Sequence, residues 1–162
     1  MGLIIRHVGG LMSESLDILP ELIEASRDGV DFYAEAADAV KDGELSKLFR
    51  RMAEAKSTLV QELSHEVKPT TSKARSKRAN NPSEWVANVN ATYTTLRTGL
   101  KAMRADQVTQ IEQTEADLLG RIQRIRHDRD HSYVVRVLAM QYEAKARTVH
   151  EGLRARKRRL AN

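Results

Sequence analysis

Two long amphipathic stretches separated by a very short connection constrain this chain more than any other feature. Apolar residues recur in steps of three and four over residues 19–40, and the same period resumes over residues 45–67. This spacing is typical of helices that bury one face. The connection, Lys41-Asp42-Gly43, is so short that the two helices must run antiparallel. Asp42 is suited to cap the second helix.

The composition favours an all-α protein with an aliphatic core. Hydrophobic residues make up 41% of the 162 residues and aromatic residues only 4%, with 3 prolines and 8 glycines. The chain has too few turn-forming residues for a β protein of this size. Its length suits one domain. The chain has no cysteine, which excludes disulfides, thiolate metal sites and a cysteine nucleophile. We expect a cytoplasmic protein.

The organisation along the chain predicts a short arm followed by one domain. Residues 1–14 are expected to form a flexible arm, because Gly9-Gly10 interrupts an apolar segment too short to span a membrane. Residues 15–162 predict a single up-down four-helix bundle, in which two antiparallel hairpins are joined by a crossover with a short extra helix. That extra helix is expected to begin at Asn81-Pro82, a strong start signal. The predicted helices lie at about residues 16–41, 44–67, 82–104, 107–127 and 131–159.

Charge is divided unevenly between the two halves. Residues 1–68 contain 8 Lys/Arg and 13 Asp/Glu, whereas residues 69–162 contain 19 Lys/Arg and 9 Asp/Glu. The favoured interpretation is that the acidic hairpin lies against the basic one or against a second copy, which predicts a homo-oligomer or an acidic protein partner. The alternative is an anion or nucleic-acid patch. Its residues would be Lys73, Arg75, Lys77, Arg78, Arg154, Arg156, Lys157, Arg158 and Arg159.

The sequence predicts the surroundings of two residues in the first helix and of one residue in the second. Gly29 lies in the middle of a helix, where glycine costs about 1 kcal/mol relative to alanine, so a close approach by another element is expected there. Tyr33 falls on the apolar stripe, and its hydroxyl needs a hydrogen-bond partner. Lys56 is expected on the outer face of its helix.

Glu115 occupies a position of the fourth apolar stripe where its neighbours in the repeat are apolar. A carboxylate buried in this way must be paired, bind a metal or take up a proton. The favoured prediction is a buried ion pair between Glu115 and a cation on the facing helix, with Arg147 as the main candidate and Lys145 as the alternative.

Several short motifs resemble those of a known family. They are Leu22-Ile23, Asp28-Gly29, Phe32-Tyr33, Ala36-Ala37, Glu44-Leu45, Leu48-Phe49, Glu112 with Glu115, and Gln141-Tyr142 followed by His150. Through them the chain resembles an uncharacterised bacterial family of four-helix-bundle proteins, a domain of unknown function in the ferritin-like superfamily. The resemblance implies two helical hairpins joined by a crossover, and it implies no established activity.

A ferritin-like fold raises the question of a metal site. Such sites use a Glu from each of two helices and a Glu-x-x-His pair from each of the other two. The candidate ligands for iron or manganese here are Glu62, His65, Glu112, Glu115 and His150. The set is incomplete, because Arg147 stands three residues before His150 where a carboxylate is required. With no catalytic constellation elsewhere, we expect a non-enzymatic bundle without a cofactor, and a carboxylate metal site is the alternative.

Overall fold

The computed structural model describes the backbone of residues 2–67 and 83–162 and the side chains of residues 18–67 and 83–162. Within these ranges the chain forms five helices and no strand, which confirms the predicted all-α class. In chain order the helices are α1 (Gly2–Ala39), α2 (Gly43–Glu66), α3 (Glu84–Arg97), α4 (Ala105–His127) and α5 (Tyr133–Ala161).

The turn between α1 and α2 is capped as the sequence predicts. Oδ1 of Asp42 accepts hydrogen bonds from the backbone N–H groups of Glu44 and Leu45, each at 3.0 Å. These bonds satisfy two of the donors that every helix leaves unpaired at its N-terminus. Because only three residues connect the helices, α1 and α2 form an antiparallel hairpin.

Three predicted boundaries differ from the structure. The helix α1 begins at Gly2, earlier than the start predicted near residue 16, and the flexibility predicted for residues 1–14 stays a prediction. Gly9-Gly10 lowers helix propensity but keeps its N–H and C=O groups, so it weakens a helix without breaking its hydrogen bonds. The predicted helix at 82–104 runs only from Glu84 to Arg97 and is capped by Ser83, whose Oγ accepts from the N–H of Val86 at 3.2 Å.

The helices form a closed ring in the order α1, α2, α5, α4, α3. Along α2 and α5, Asp42 bonds to Arg156 at one end of the bundle, and Lys56 bonds to Tyr142 further along, so these helices are antiparallel. By contrast, α3 runs parallel to α1, since the side chains of Asp28 and Asn90 meet and, two turns on, so do those of Glu35 and Arg97.

The core consists of two apolar clusters stacked along the bundle axis. One cluster lies toward the α1–α2 turn and includes Phe32, Phe49 and Leu153. The other lies toward the opposite end and includes Leu22 and Ile122. The buried side chains of Lys56 and Glu115 lie where the two clusters meet, and they belong to the site described below.

Gly29 provides a test of this packing. A Cβ at Gly29 would lie 2.5 Å from Cδ and 2.9 Å from Cε of the buried Lys56. We expect Gly29→Ala to destabilise the protein by about 1–3 kcal/mol, because Lys56 has no free space into which to move. Gly120→Ala in α4 is the matched control. Nothing lies within 4 Å of a Cβ there, so the gain in helix propensity should stabilise by up to about 1 kcal/mol. Urea unfolding measures both, and equal effects would contradict the packing.

Candidate functional site

Each of the five helices contributes one side chain to a polar network in the middle of the bundle. The members are Tyr33 of α1, Lys56 of α2, Tyr93 of α3, Glu115 of α4 and Tyr142 of α5. None of them is more than 3% exposed to solvent. The network is therefore sealed from water and couples all five helices at one level.

A lysine–carboxylate ion pair forms the centre of the network. Nζ of Lys56 donates hydrogen bonds to Oε1 of Glu115 at 2.7 Å and to the hydroxyl oxygen of Tyr142 at 3.0 Å. The Tyr142 hydroxyl in turn lies 3.9 Å from Sδ of Met52, a weak acceptor. The ammonium is thus held between α4 and α5 by bonds of the strong, charge-assisted kind.

The second carboxylate oxygen is held by two tyrosines. Oε2 of Glu115 accepts hydrogen bonds from the hydroxyl groups of Tyr33 at 2.7 Å and Tyr93 at 2.9 Å. Both oxygens of the carboxylate therefore have partners inside the protein. Buried charges are tolerated only when they are paired and hydrogen-bonded in this way.

Aromatic packing and a glycine hold the network in place. The ring of Phe32 stacks on Tyr93 with ring centroids 4.6 Å apart and meets Tyr33 edge to face at 5.0 Å. Gly29, one turn earlier in α1, leaves the space occupied by the Lys56 stem and by the Tyr93 hydroxyl. The close approach predicted at Gly29 and the partner predicted for the Tyr33 hydroxyl are both confirmed.

The charges in the network stabilise one another. Burial tends to raise the pKa of Glu115, but the Lys56 ammonium and the hydrogen bonds from Lys56, Tyr33 and Tyr93 outweigh it, so the pKa of Glu115 is lowered. Burial tends to lower the pKa of Lys56, and Glu115 and Tyr142 outweigh it, so that pKa is raised. Burial raises the pKa of Tyr142 to about 12 despite the opposing effect of Lys56. At neutral pH the pair is ionised and the tyrosines are neutral.

The partner of Glu115 is Lys56, and the pairing predicted with Arg147 is wrong. Arg147 lies on the surface of α5 and bonds to Glu143 at 3.0 Å. Lys56 is buried, so the outer face predicted for it is wrong; it follows Met52 by four residues and precedes Leu59 by three. That spacing puts Lys56 on the buried stripe and is the signal that could have identified it.

The predicted metal ligands do not form one site, although Glu112 and Glu115 are close enough to His150 to influence its pKa. Glu62 and His65 are exposed near the end of α2, and Glu112 lies 2.7 Å from Lys157. The ring of His150 is half-buried, and this burial lowers its pKa. Within the described residues, no group of three or more His, Asp or Glu side chains is placed to hold a metal ion.

The predicted anion-binding residues fall into two separate sets. Lys73, Arg75, Lys77 and Arg78 lie outside the described residues. In the C-terminal set, Arg156 bonds to Asp42 and Lys157 bonds to Glu112, with Arg154 4.0 Å from the same carboxylate. Arg158 and Arg159 are exposed and form no ion pair with another described residue.

The pocket beside the network is too small to admit a substrate. A pocket between α2 and α5, lined in part by Tyr142 and Lys145, has a volume of about 10 Å³, which is room for a single water. A substrate therefore has no path to Lys56 or Glu115 through this pocket. An ammonium and a carboxylate that already satisfy each other are also poor general acids and bases.

Comparison with known proteins assigns the chain to a family. Residues 14–128 match the family model described as domain of unknown function DUF2383. The chain belongs to this family. The matched range contains four members of the network, and Tyr142 lies beyond it. No curated protein and no solved structure matches the chain. Among the described residues of this DUF2383 member, no helix is both long and apolar enough to cross a membrane.

Neutralising one member of the ion pair should destabilise the bundle strongly. Lys56→Met and Glu115→Gln each leave a buried charge without its counter-ion, so each should cost about 3–5 kcal/mol in the free energy of unfolding. The destabilisation of the double variant should be smaller than the sum of the two single destabilisations by about 1–3 kcal/mol, because the double variant leaves neither charge unpaired. Arg147→Ala, which removes an exposed pair, should cost at most about 1 kcal/mol. Additive effects in the double variant would refute direct coupling.

The ion pair should also set the pH dependence of stability. The pKa of Glu115 is lowered on folding, so its contribution is present above the unfolded value of about 4.3 and is lost as pH falls through the folded value. The pKa of Lys56 is raised on folding, so its contribution is present below about 10.4 and is lost as pH rises through the folded value. The stability difference between wild type and Lys56→Met/Glu115→Gln, measured by urea unfolding, should be constant from about pH 5 to 9 and shrink below about pH 4. A slope between pH 5 and 9 would contradict this.

Proposed function

We propose that this protein is a metal-independent, non-catalytic ferritin-like bundle that acts by association, with a second copy of itself as the favoured partner and an acidic protein as the other. The main support for this proposal is the Lys56–Glu115 ion pair at the middle of the bundle, whose hydrogen bonding is completed by three tyrosine hydroxyl groups. The absence of cysteine is compatible with the reducing cytoplasm, where we place the protein.

The helix directions support the ferritin-like part of the proposal. The α1–α2 hairpin and the α4–α5 hairpin are each antiparallel, and α2 and α4 run in the same direction because both are antiparallel to α5. Because α2 and α4 run in the same direction, the chain between them must return along the length of the bundle in one long crossover connection. Such a crossover distinguishes ferritin-like bundles from simple up-down bundles. Here the crossover contains α3.

The chemistry of the interior supports metal independence. A ferritin-like di-metal site gathers several carboxylates and two imidazoles around two cations. Among the described residues, Glu115 is the single fully buried carboxylate at that level, and its negative charge is already balanced by Lys56. The lysine ammonium thus supplies the positive charge that a metal ion would otherwise provide. A cation beside Glu115 would meet electrostatic repulsion from the Lys56 ammonium.

Surface features support association. The exposed large hydrophobic side chains among the described residues are Tyr133, Val134 and Met140, all near the start of α5. Exposed apolar residues that cluster in this way are typical of interaction surfaces. Part of the charge asymmetry is used within the chain, since Asp42 pairs with Arg156 and Glu35 with Arg97.

Nucleic-acid binding is less well supported. The residues that flank the basic loop, Val67 and Ser83, lie at the end of the bundle opposite Arg154–Arg159. Three of the five cations in that C-terminal set are within 4.0 Å of a carboxylate. Phosphate binding would therefore have to displace existing ion pairs.

Metal analysis tests the first half of the proposal. Protein produced in medium supplemented with iron and manganese should contain far less than one metal ion per chain. The same measurement on Glu115→Ala serves as the control. Stoichiometric metal in the wild type that disappears in Glu115→Ala would overturn the proposal in favour of a carboxylate metal site.

Light scattering at low and high salt tests the second half. We expect a mass above that of the monomer, and persistence at high salt would indicate that apolar burial drives association. A strict monomer at both salt concentrations, together with no acidic partner recovered by affinity capture, would contradict association. A gel shift with DNA that weakens as salt rises would instead favour the nucleic-acid alternative.

A further inference from the structure

One face of α5 is apolar although it points away from the bundle core. Tyr133 is 74% exposed and Met140 44%, while Val137 is partly buried and Ala144 is exposed. These four residues follow one another at intervals of four, three and four, so they share one side of the helix. The buried Tyr142 lies on the opposite side of α5. We call the four residues the α5 stripe.

Exposed charged side chains flank the α5 stripe at both ends. Arg129 and Asp130 lie in the turn that precedes α5, and Arg147 and Glu151 lie on the exposed side of α5 beyond the stripe. Arg129, Asp130 and Glu151 form no ion pair with another described residue. Each end of the stripe therefore carries one acidic and one basic side chain.

Arg147 has a partner within the chain, but it shares that partner. Oε1 of Glu143 accepts hydrogen bonds from Nη2 of Arg147 at 3.0 Å and from Nη1 of Arg126 at 3.3 Å. Two guanidinium groups on one carboxylate leave one positive charge without a counter-ion of its own. The side chain of Arg147 is 56% exposed, so a further carboxylate can reach it from outside the chain.

The α5 stripe is complementary to itself when the helix is reversed. Intervals of four, three and four read the same in both directions, so a second α5 lying antiparallel to the first places its stripe residues at the same levels. In this register Tyr133 lies opposite Ala144, and Val137 lies opposite Met140. A large side chain that faces a small one allows the two helices to pack closely.

The charged ends match in the same register. Asp130 of one copy lies level with Arg147 of the other, and Arg129 lies within one turn of Glu151. Both pairs join opposite charges, and a two-fold axis makes each pair occur twice. Exposed pairs of this kind add little to affinity, but they favour one alignment of the helices over the others.

We propose that two copies of this chain form a two-fold dimer in which their α5 stripes pack antiparallel. The arrangement rests on the self-association proposed above and specifies its interface. The charged groups beside the stripe are of both signs, which suits a second copy better than a uniformly acidic protein. The stripe spans about 17 Å, so a contact of one helix on one helix buries less than the roughly 800 Å² per partner of a standard interface. We expect a weak dimer that dissociates on dilution.

Sedimentation equilibrium of the full chain, at concentrations up to about 1 mM, tests the contact. Met140→Glu places a carboxylate in the middle of the interface, where it would lose water, so Kd should rise at least about tenfold. Val134→Ser is the matched control. Val134 is also exposed, but it lies about 100° around the helix from Tyr133, so this change should leave Kd within about twofold of the wild type. An equal effect of both changes would overturn the stripe as the interface.

Charge reversal tests the antiparallel register. Asp130→Arg and Arg147→Asp each place like charges at both ends of the dimer, so each should raise Kd by about threefold or more. The double variant Asp130→Arg/Arg147→Asp restores opposite charges and should return Kd to near the wild-type value. In a parallel dimer each residue would face its own copy, so the single reversals would not weaken it. Single reversals without effect, or a double variant without recovery, would overturn the register.

The remaining outcomes separate this interface from the broader proposal. Circular dichroism melts close to that of the wild type verify that each variant is folded. A wild-type dimer that Met140→Glu leaves unchanged would overturn the interface and leave self-association standing. A wild-type monomer at every concentration would overturn both the interface and self-association.

Discussion

The structure depends on one constraint: two opposite charges are buried in the centre of the bundle and must remain paired. Removing an ammonium and a carboxylate from water costs several kcal/mol per ion, and their attraction offsets this only with good geometry and further hydrogen bonds. Lys56 and Glu115 meet at 2.7 Å, and three tyrosine hydroxyls complete their hydrogen bonding. Since the ion pair and the three tyrosines come from five different helices, their hydrogen bonds connect all five helices at one level.

This constraint explains features that are costly in isolation. Glycine at position 29 weakens α1, yet any larger residue would collide with the Lys56 stem. The short helix α3 has too few residues to be stable alone, and its position is set by the bond from Tyr93 to Glu115 and by the stacking of Phe32 on Tyr93. Local stability is thus given up where the central pair requires space or a partner.

The buried pair also bears on where a functional site could lie. Lys56 and Glu115 balance each other's charge, and neither side chain is exposed to solvent. The association that we propose would therefore use surfaces, and the exposed large hydrophobic side chains among the described residues are at the start of α5. An interior that specifies one packing arrangement is well suited to holding such surfaces in a defined relation.

The sequence by itself determined the α-helical class, the α1–α2 hairpin, the Asp42 cap and the presence of a buried carboxylate at position 115. These follow from periodicity and capping, which are local in the chain. Only the tertiary structure decided that Lys56 rather than Arg147 neutralises Glu115, that Tyr93 brings α3 into the ring, and that the start of α1 continues as a helix. Which side chains meet across helices depends on how each helix is rotated about its axis, and a shift of one residue turns a side chain by about 100°.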